Sequence, residues 1–227
     1  MQRPRKSVPG TILGKLTLKQ VLDALEHQIL IGKTYWAIAN GLLKAEPIVY
    51  GTAPTFFGLV VDGSLELAQI VVAKLYDRSE QSVTITAMLF QAARQPECFQ
   101  KAADRHQVDI AILKSTQRVI SLRPVLDSIR IRRDKWLAHL DEQSVRDPKS
   151  LEAKARLTIE DLKRTFQETE EILRELSHLF DGTIGPIRYV GDDDYKAVLD
   201  HVRHSTSSEM KEFKAKFEAQ FGHPPRP

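Results

Sequence analysis

Apolar residues recur along the first half of this chain at spacings of three and four, which is the period of an amphipathic α-helix. They predict a first long helix over residues 18–44, capped by Thr17. A second helix is predicted over residues 54–75, with Pro54 in its first turn, where a missing N–H costs little. Ser82 is placed to cap a short third helix that ends near residue 94.

The second half carries the same period. Pro124 predicts a helix boundary or a kink, because the residue before a proline is pushed out of the helical region. Thr158 and Asp161 fit a capping box at the start of a strongly amphipathic helix. Helices are predicted here over residues 97–122, 124–142, 158–180 and 208–221. A strand-like pattern is confined to residues 184–190, so the predicted fold class is all-α, a helical bundle.

Composition divides the chain into three predicted parts. Residues 1–16 form an irregular N-terminal arm, residues 17–181 the helical bundle, and residues 182–227 a linker with a C-terminal helical appendage. The last helix has an apolar stripe at three- and four-residue spacing: Met210, Phe213, Phe217 and Phe221. We expect this stripe to be buried, either against the bundle or against a second subunit.

Composition narrows the class of protein. The 227 residues suffice for one sizeable core, and Cys98, the single cysteine, cannot form an intrachain disulfide. No secretory signal and no apolar run of roughly 20 residues is apparent, so we expect a cytoplasmic protein that does not associate with membranes. Residues 114–139 carry a local charge of +5, while the whole chain carries +3. Such a basic segment favours a polyanionic partner.

Candidate chemistry lies in this basic segment, at Arg133, Asp134 and His139. In RNA the 2′-hydroxyl is a nucleophile next to the scissile phosphate, so an enzyme needs only to move two protons and stabilise charge. A histidine transfers protons near neutral pH, and an arginine holds phosphate oxygens in its planar fork. Asp134 would orient one of these groups. We therefore consider these three as candidate catalytic residues.

The motif Arg-Asp-Lys-x-x-Ala-His-Leu-Asp over residues 133–141 resembles the signature of the HEPN superfamily. Within that superfamily it resembles most the AbiU-type abortive-infection branch. Residues 67–78 and 157–162 are similar to two further helices of that branch. The resemblance implies a HEPN-like bundle and a metal-independent endoribonuclease without cofactors, acting as a defence or toxin effector. It also implies a homodimer, RNA as substrate and a cognate antitoxin protein as a further partner.

The spacing of Arg133 and His139 constrains this picture. Six residues at about 100° each leave them roughly 120° apart around a straight helix and about 9 Å apart along it. Either the helix is distorted at the motif, or the same motif of a second protomer completes the site across a two-fold axis. Arg130, Arg132 and Lys135 would then contact RNA phosphates.

Other interpretations stay open. A non-catalytic helical module would use the same basic face to bind RNA or a protein, and Asp134 would then only pair with Arg130. HEPN toxins controlled by a nucleotidyltransferase have a tyrosine two residues after the histidine, whereas this chain has Asp141. His201 and His204 are spaced for a metal, but in a polar tail solvated side chains are the commoner outcome. Tyr35, Trp36 and Trp136 are candidates for base stacking, although aromatic residues at helical spacing usually belong to the core.

Overall fold

The computed structural model describes residues 16–45, 47–79, 81–137, 146–147, 149, 153–183 and 194–221. Over these residues the chain is all-α and contains no strand, which confirms the predicted fold class. The α-helices are α1 (Leu18–Leu43), α2 (Pro47–Thr52), α3 (Pro54–Leu75), α4 (Ile85–Arg94), α5 (Arg105–Arg132), α6 (Ile159–Asp181) and α7 (Asp194–Phe221). A 3₁₀ turn covers Pro96–Cys98 and a π-helical turn covers Arg133–Leu137.

Three helices begin and end within a residue of their predicted bounds: α1, α3 and α6. The capping box of α6 is confirmed, because the Thr158 hydroxyl accepts from the Asp161 N–H and the Asp161 carboxylate accepts from the Thr158 N–H. Gly182 ends the same helix with a left-handed φ of 84°, a conformation that glycine adopts without strain.

The predicted cap of the third helix is wrong. Thr84, not Ser82, caps α4, and its hydroxyl accepts the N–H of Ala87 at 3.2 Å. The Ser82 hydroxyl instead donates to a carboxylate oxygen of Asp77 at 3.0 Å. Both residues are good caps in isolation, so the choice depends on this contact of Ser82 with Asp77, five residues earlier.

Of the two alternatives predicted at Pro124, the helix boundary is wrong, since α5 continues through it to Arg132, and the kink stays a prediction. Proline removes one backbone donor from a helix, a loss that tertiary packing can offset. Leu122 and Ile129 are both buried, and they anchor α5 on either side of the proline. The helix also begins later than predicted, at Arg105, with Asp104 as its cap. The described part of the motif, Arg133–Leu137, therefore continues directly from a long helix.

The last helix begins at Asp194, well before the predicted residue 208. Met210 and Phe213 remain 44% and 56% exposed, so this part of the predicted stripe is not buried within the chain. The side chains of Phe217 and Phe221 lie outside the description. The predicted arm up to residue 15 and the strand-like segment 184–190 also lie outside the described residues.

The chain forms two compact units, residues 1–36 with 66–189, and residues 37–65 with 190–227. In the first unit the apolar stripe of α6 is buried at Leu162, Phe166, Leu173 and Leu176. Helix α1 approaches this stripe closely at Gly32, where an added Cβ would lie 2.6 Å from the Phe166 ring. Glycine weakens an isolated helix, but here the missing side chain of Gly32 allows α1 to pack closely against α6.

The second unit has its own small core. Leu42, Phe57, Val61 and Leu199 are buried there together, and the Tyr195 ring occupies the space beside Gly41. This grouping does not follow the boundary near residue 182, and the predicted three-part domain division stays a prediction.

Helix α3 alone among the described helices is long and apolar enough, by length and composition, to cross a membrane. Its most apolar stretch is 39% buried. Val61 and Val72 of this helix are buried, whereas Phe56 and Leu59 are exposed. Cytoplasmic localisation stays a prediction.

Candidate functional site

Arg133 lies where α5 ends and the π-helical turn begins. Its Nε donates to Oδ1 of Asp134 at 2.7 Å, and its Nη1 lies 3.6 Å from Oδ1 of Asp77. About a third of the Arg133 side chain remains exposed, 32%. Two of the three predicted catalytic residues therefore contact each other, and a third group, Asp77, completes their arrangement.

Asp77 was not singled out from the sequence, where it belongs to a polar cluster that ends the second helix. Its carboxylate accepts the Arg78 N–H at 2.8 Å and the Ser82 hydroxyl at 3.0 Å. Burial acts to raise the pKa of Asp77, but these hydrogen bonds, one from the Ser79 backbone and the charge of Arg133 lower it below its ordinary value. Asp77 is thus a fixed carboxylate that faces Arg133.

A second ion-pair network lies beside the first. Oδ1 of Asp127 is 3.1 Å from Nη2 of Arg78 and 3.2 Å from Nη2 of Arg130. The predicted pairing of Arg130 with Asp134 is therefore replaced by pairing with Asp127, three residues earlier on α5. Arg130, predicted to contact RNA, lies close to Arg133 with its charge only partly compensated, because two arginines share one carboxylate.

Arg132 and Lys135, the other two residues predicted to contact RNA, have different surroundings from Arg130. Nε of Arg132 donates at 2.8 Å to Gln69, a buried residue of α3, so this side chain reaches into the bundle. Lys135 is half-buried in the π-helical turn. Their contacts with RNA stay predictions.

His139 lies outside the described residues, as does Asp141. The π-helical turn does show that the helix is distorted at the motif, the first of the two predicted alternatives. A π-turn brings residues five apart onto one face, so by itself it does not align two residues six apart. The π-helical turn therefore does not replace the second protomer of the other predicted alternative.

A groove of about 1050 Å³ opens beside Arg133. It lies between the end of α3, the length of α4 and the part of α5 from Ile112 onward. Its charged side chains are Asp77, Arg78, Arg123, Asp127, Arg130 and Arg133. The candidate arginine therefore lines a concave surface large enough for a substrate, in the size range of ligand sites.

The weaker candidates from the sequence are the aromatic residues considered for base stacking and the histidines considered for a metal site. Nε1 of Trp36 donates to the Ile159 carbonyl at 3.4 Å, which ties α1 to the start of α6. His201 and His204 are exposed on α7, where Asp200 pairs with Arg203. Within the described ranges no group of three histidines, cysteines or acids is arranged to hold a metal ion. The Trp136 side chain lies outside the description.

The all-α bundle, in which the paired Arg133 and Asp134 directly follow α5, is HEPN-like. A profile of the AbiU2 family of HEPN proteins matches residues 15–206, and the chain belongs to this family. Comparison with curated proteins and with solved structures gives no significant match.

Proposed function

We propose that this protein is a metal-independent endoribonuclease that cleaves RNA through attack of the 2′-hydroxyl, and that it acts as a defence or toxin effector. The observation that carries the proposal is Arg133, about a third exposed on the wall of a groove with three further arginines, in a chain of the HEPN AbiU2 family. The family name, which refers to abortive infection, supports a defence role.

The proposed reaction uses the substrate as its own nucleophile. The 2′-oxygen attacks the adjacent phosphorus and loses its proton to a base, while the P–O5′ bond breaks and the 5′-oxygen takes up a proton. The products are a 2′,3′-cyclic phosphate and a 5′-hydroxyl. We assign the proton transfers to His139, a contribution of roughly 10²–10⁴ in rate.

Arg133 would stabilise the phosphorane-like transition state, whose equatorial oxygens gain negative charge. Guanidinium suits this role because it stays protonated and offers two parallel N–H donors. Asp77 and Asp134 would fix the plane of that fork before the substrate arrives, which lowers the cost of ordering it during the reaction.

The experiment is incubation of RNA with purified protein in excess EDTA. Cleavage should persist, and mass spectrometry should find 2′,3′-cyclic phosphate ends. The Arg133→Ala, His139→Ala double variant, purified identically, should be inactive, which excludes a contaminating ribonuclease. Activity that vanishes with the chelator and returns with Mg²⁺ would contradict the proposal.

A non-catalytic module that binds RNA or a protein partner is the second candidate function. The contacts of Arg133 favour it in one respect, because two carboxylates already satisfy much of its charge. RNA binding without cleavage, equal in wild type and double variant, would select this alternative.

A further inference from the structure

The groove beside Arg133 changes in character along α5. Five residues of this helix follow at spacings of four, three, four and three, so they share one face, and all line the groove: Thr116, Ile120, Arg123, Asp127 and Arg130. The face is apolar at Ile120, which is 49% exposed, and charged from Arg123 onward. From Ile120 to Arg130 it extends about 15 Å.

Helix α4 adds an aromatic ring to the same groove. Phe90 lines the groove and is 45% exposed. The Arg94 guanidinium lies 5.5 Å from the centre of its ring but does not itself line the groove. Thr86, one turn earlier, also lines the groove and is exposed, and its hydroxyl bonds to no other described residue. A flat ring and a free hydroxyl can serve as a platform and an edge contact for a nucleobase.

The charge of the groove indicates the kind of occupant. Four arginines and two aspartates line it, an excess of two positive charges. Arg123 is exposed and pairs with no acid among the residues described. An occupant that is both flat and apolar at one end and anionic along its length matches this arrangement.

We propose, on the basis of the proposed ribonuclease function, that the groove binds a short single-stranded segment of the RNA substrate. One base stacks on Phe90, and the phosphates follow Arg123 and Arg130 towards Arg133. A duplex does not fit this scheme, because its bases are stacked inward and their faces cannot reach an aromatic side chain. Any of the four bases can stack on an aromatic ring, so the subsite selects for unpaired RNA and not for a particular base.

The test is fluorescence anisotropy with a labelled RNA octamer that carries 2′-O-methyl groups throughout and cannot be cleaved by 2′-hydroxyl attack. Phe90→Ala should weaken binding about tenfold. Phe56→Ala is the matched control, since Phe56 is 60% exposed and does not line the groove. A duplex of the same sequence should bind more weakly than the single strand.

A second pair of variants tests the phosphate path. Arg123→Ala should weaken binding about threefold and flatten the slope of log affinity against log salt by about 0.7, one phosphate contact of a single strand. Arg105→Ala is its control, because Arg105 is exposed at the opposite end of α5 and outside the groove. All four residues are surface groups, so circular dichroism should show folded variants.

The outcomes separate the two proposals. If the wild type binds as expected but does not cleave ordinary RNA, the subsite stands and the ribonuclease function fails. If cleavage occurs while Phe90→Ala binds as tightly as Phe56→Ala, the ribonuclease stands and the subsite is overturned. Equal affinity for duplex and single strand also overturns it.

Discussion

At the scale of single residues, the candidate site depends on how Arg133 is held. Asp134 is its neighbour in sequence, and Asp77 approaches it from the end of α3. The Asp77 carboxylate is fixed by the Arg78 N–H and the Ser82 hydroxyl, so its position does not depend on Arg133 alone. A carboxylate fixed in this way orients the guanidinium that it contacts.

Asp77→Asn tests this positioning role. In the proposed enzyme it should lower kcat about tenfold and leave KM within a few-fold, because the fork is less well oriented while groove binding is retained. Asp109→Asn is the control, an exposed acid on α5 that pairs with Arg105. An unchanged kcat in Asp77→Asn would show that Asp134 orients Arg133 alone.

The lowered pKa of Asp77 also gives a pH dependence. Because its folded pKa lies below the unfolded value of about 3.9, its contribution to stability is full above that value and is lost as pH falls through the folded pKa. Partial exposure keeps this contribution to about 1 kcal/mol or less. Asp77→Asn should therefore lower Tm by about 1–3 °C at pH 7, with the difference narrowing below about pH 4 in thermal scans. A difference independent of pH would contradict this account.

At the scale of elements, packing between helices decides features that local propensity would not favour. Helix α5 runs through Pro124 because Leu122 and Ile129 are buried on either side. Helix α1 contains Gly32 because the Phe166 ring and a Val71 methyl occupy the space of a side chain, at 2.6 and 2.8 Å from an added Cβ. Propensity is a weak preference that tertiary contacts override.

Two glycine substitutions should have opposite effects on stability. Gly32→Ala should destabilise the protein by about 1–3 kcal/mol, because the Phe166 ring must move. Gly63→Ala, in the interior of α3 with nothing within 4 Å of the added Cβ, should stabilise it by about 0.5–1 kcal/mol. Denaturant unfolding measures both changes. If Gly32→Ala were as stable as the wild type, the close approach of α1 and α6 would not hold in solution.

At the scale of the whole molecule, the open question is how many chains build the site. The π-helical turn distorts the motif, yet a π-turn does not align residues six apart. On α7, Met210 and Phe213 are about half exposed, which fits a surface used in assembly. We propose a homodimer in which the motifs of two protomers share one cleft.

Mixing experiments test this assembly. Light scattering should give about twice the 25.8 kDa mass of the chain at micromolar concentration. An excess of the Arg133→Ala, His139→Ala subunit, exchanged into wild-type protein, should suppress cleavage more than dilution explains, because each mixed dimer has a damaged composite site. A fully active monomer would rule out the shared cleft.

The sequence by itself determined the helical class and the bounds of α1, α3 and α6. These features depend on the period of the apolar residues and on a local capping box, which are short-range properties of the sequence.

Only the tertiary structure decided that α5 continues past Pro124 and that Asp77 joins Arg133 across 56 positions of the sequence. The groove with Phe90 was likewise not predictable, because an exposed aromatic on a short helix resembles a core position until its neighbours are known. These features depend on contacts between helices far apart in sequence, whose geometry the local pattern does not contain.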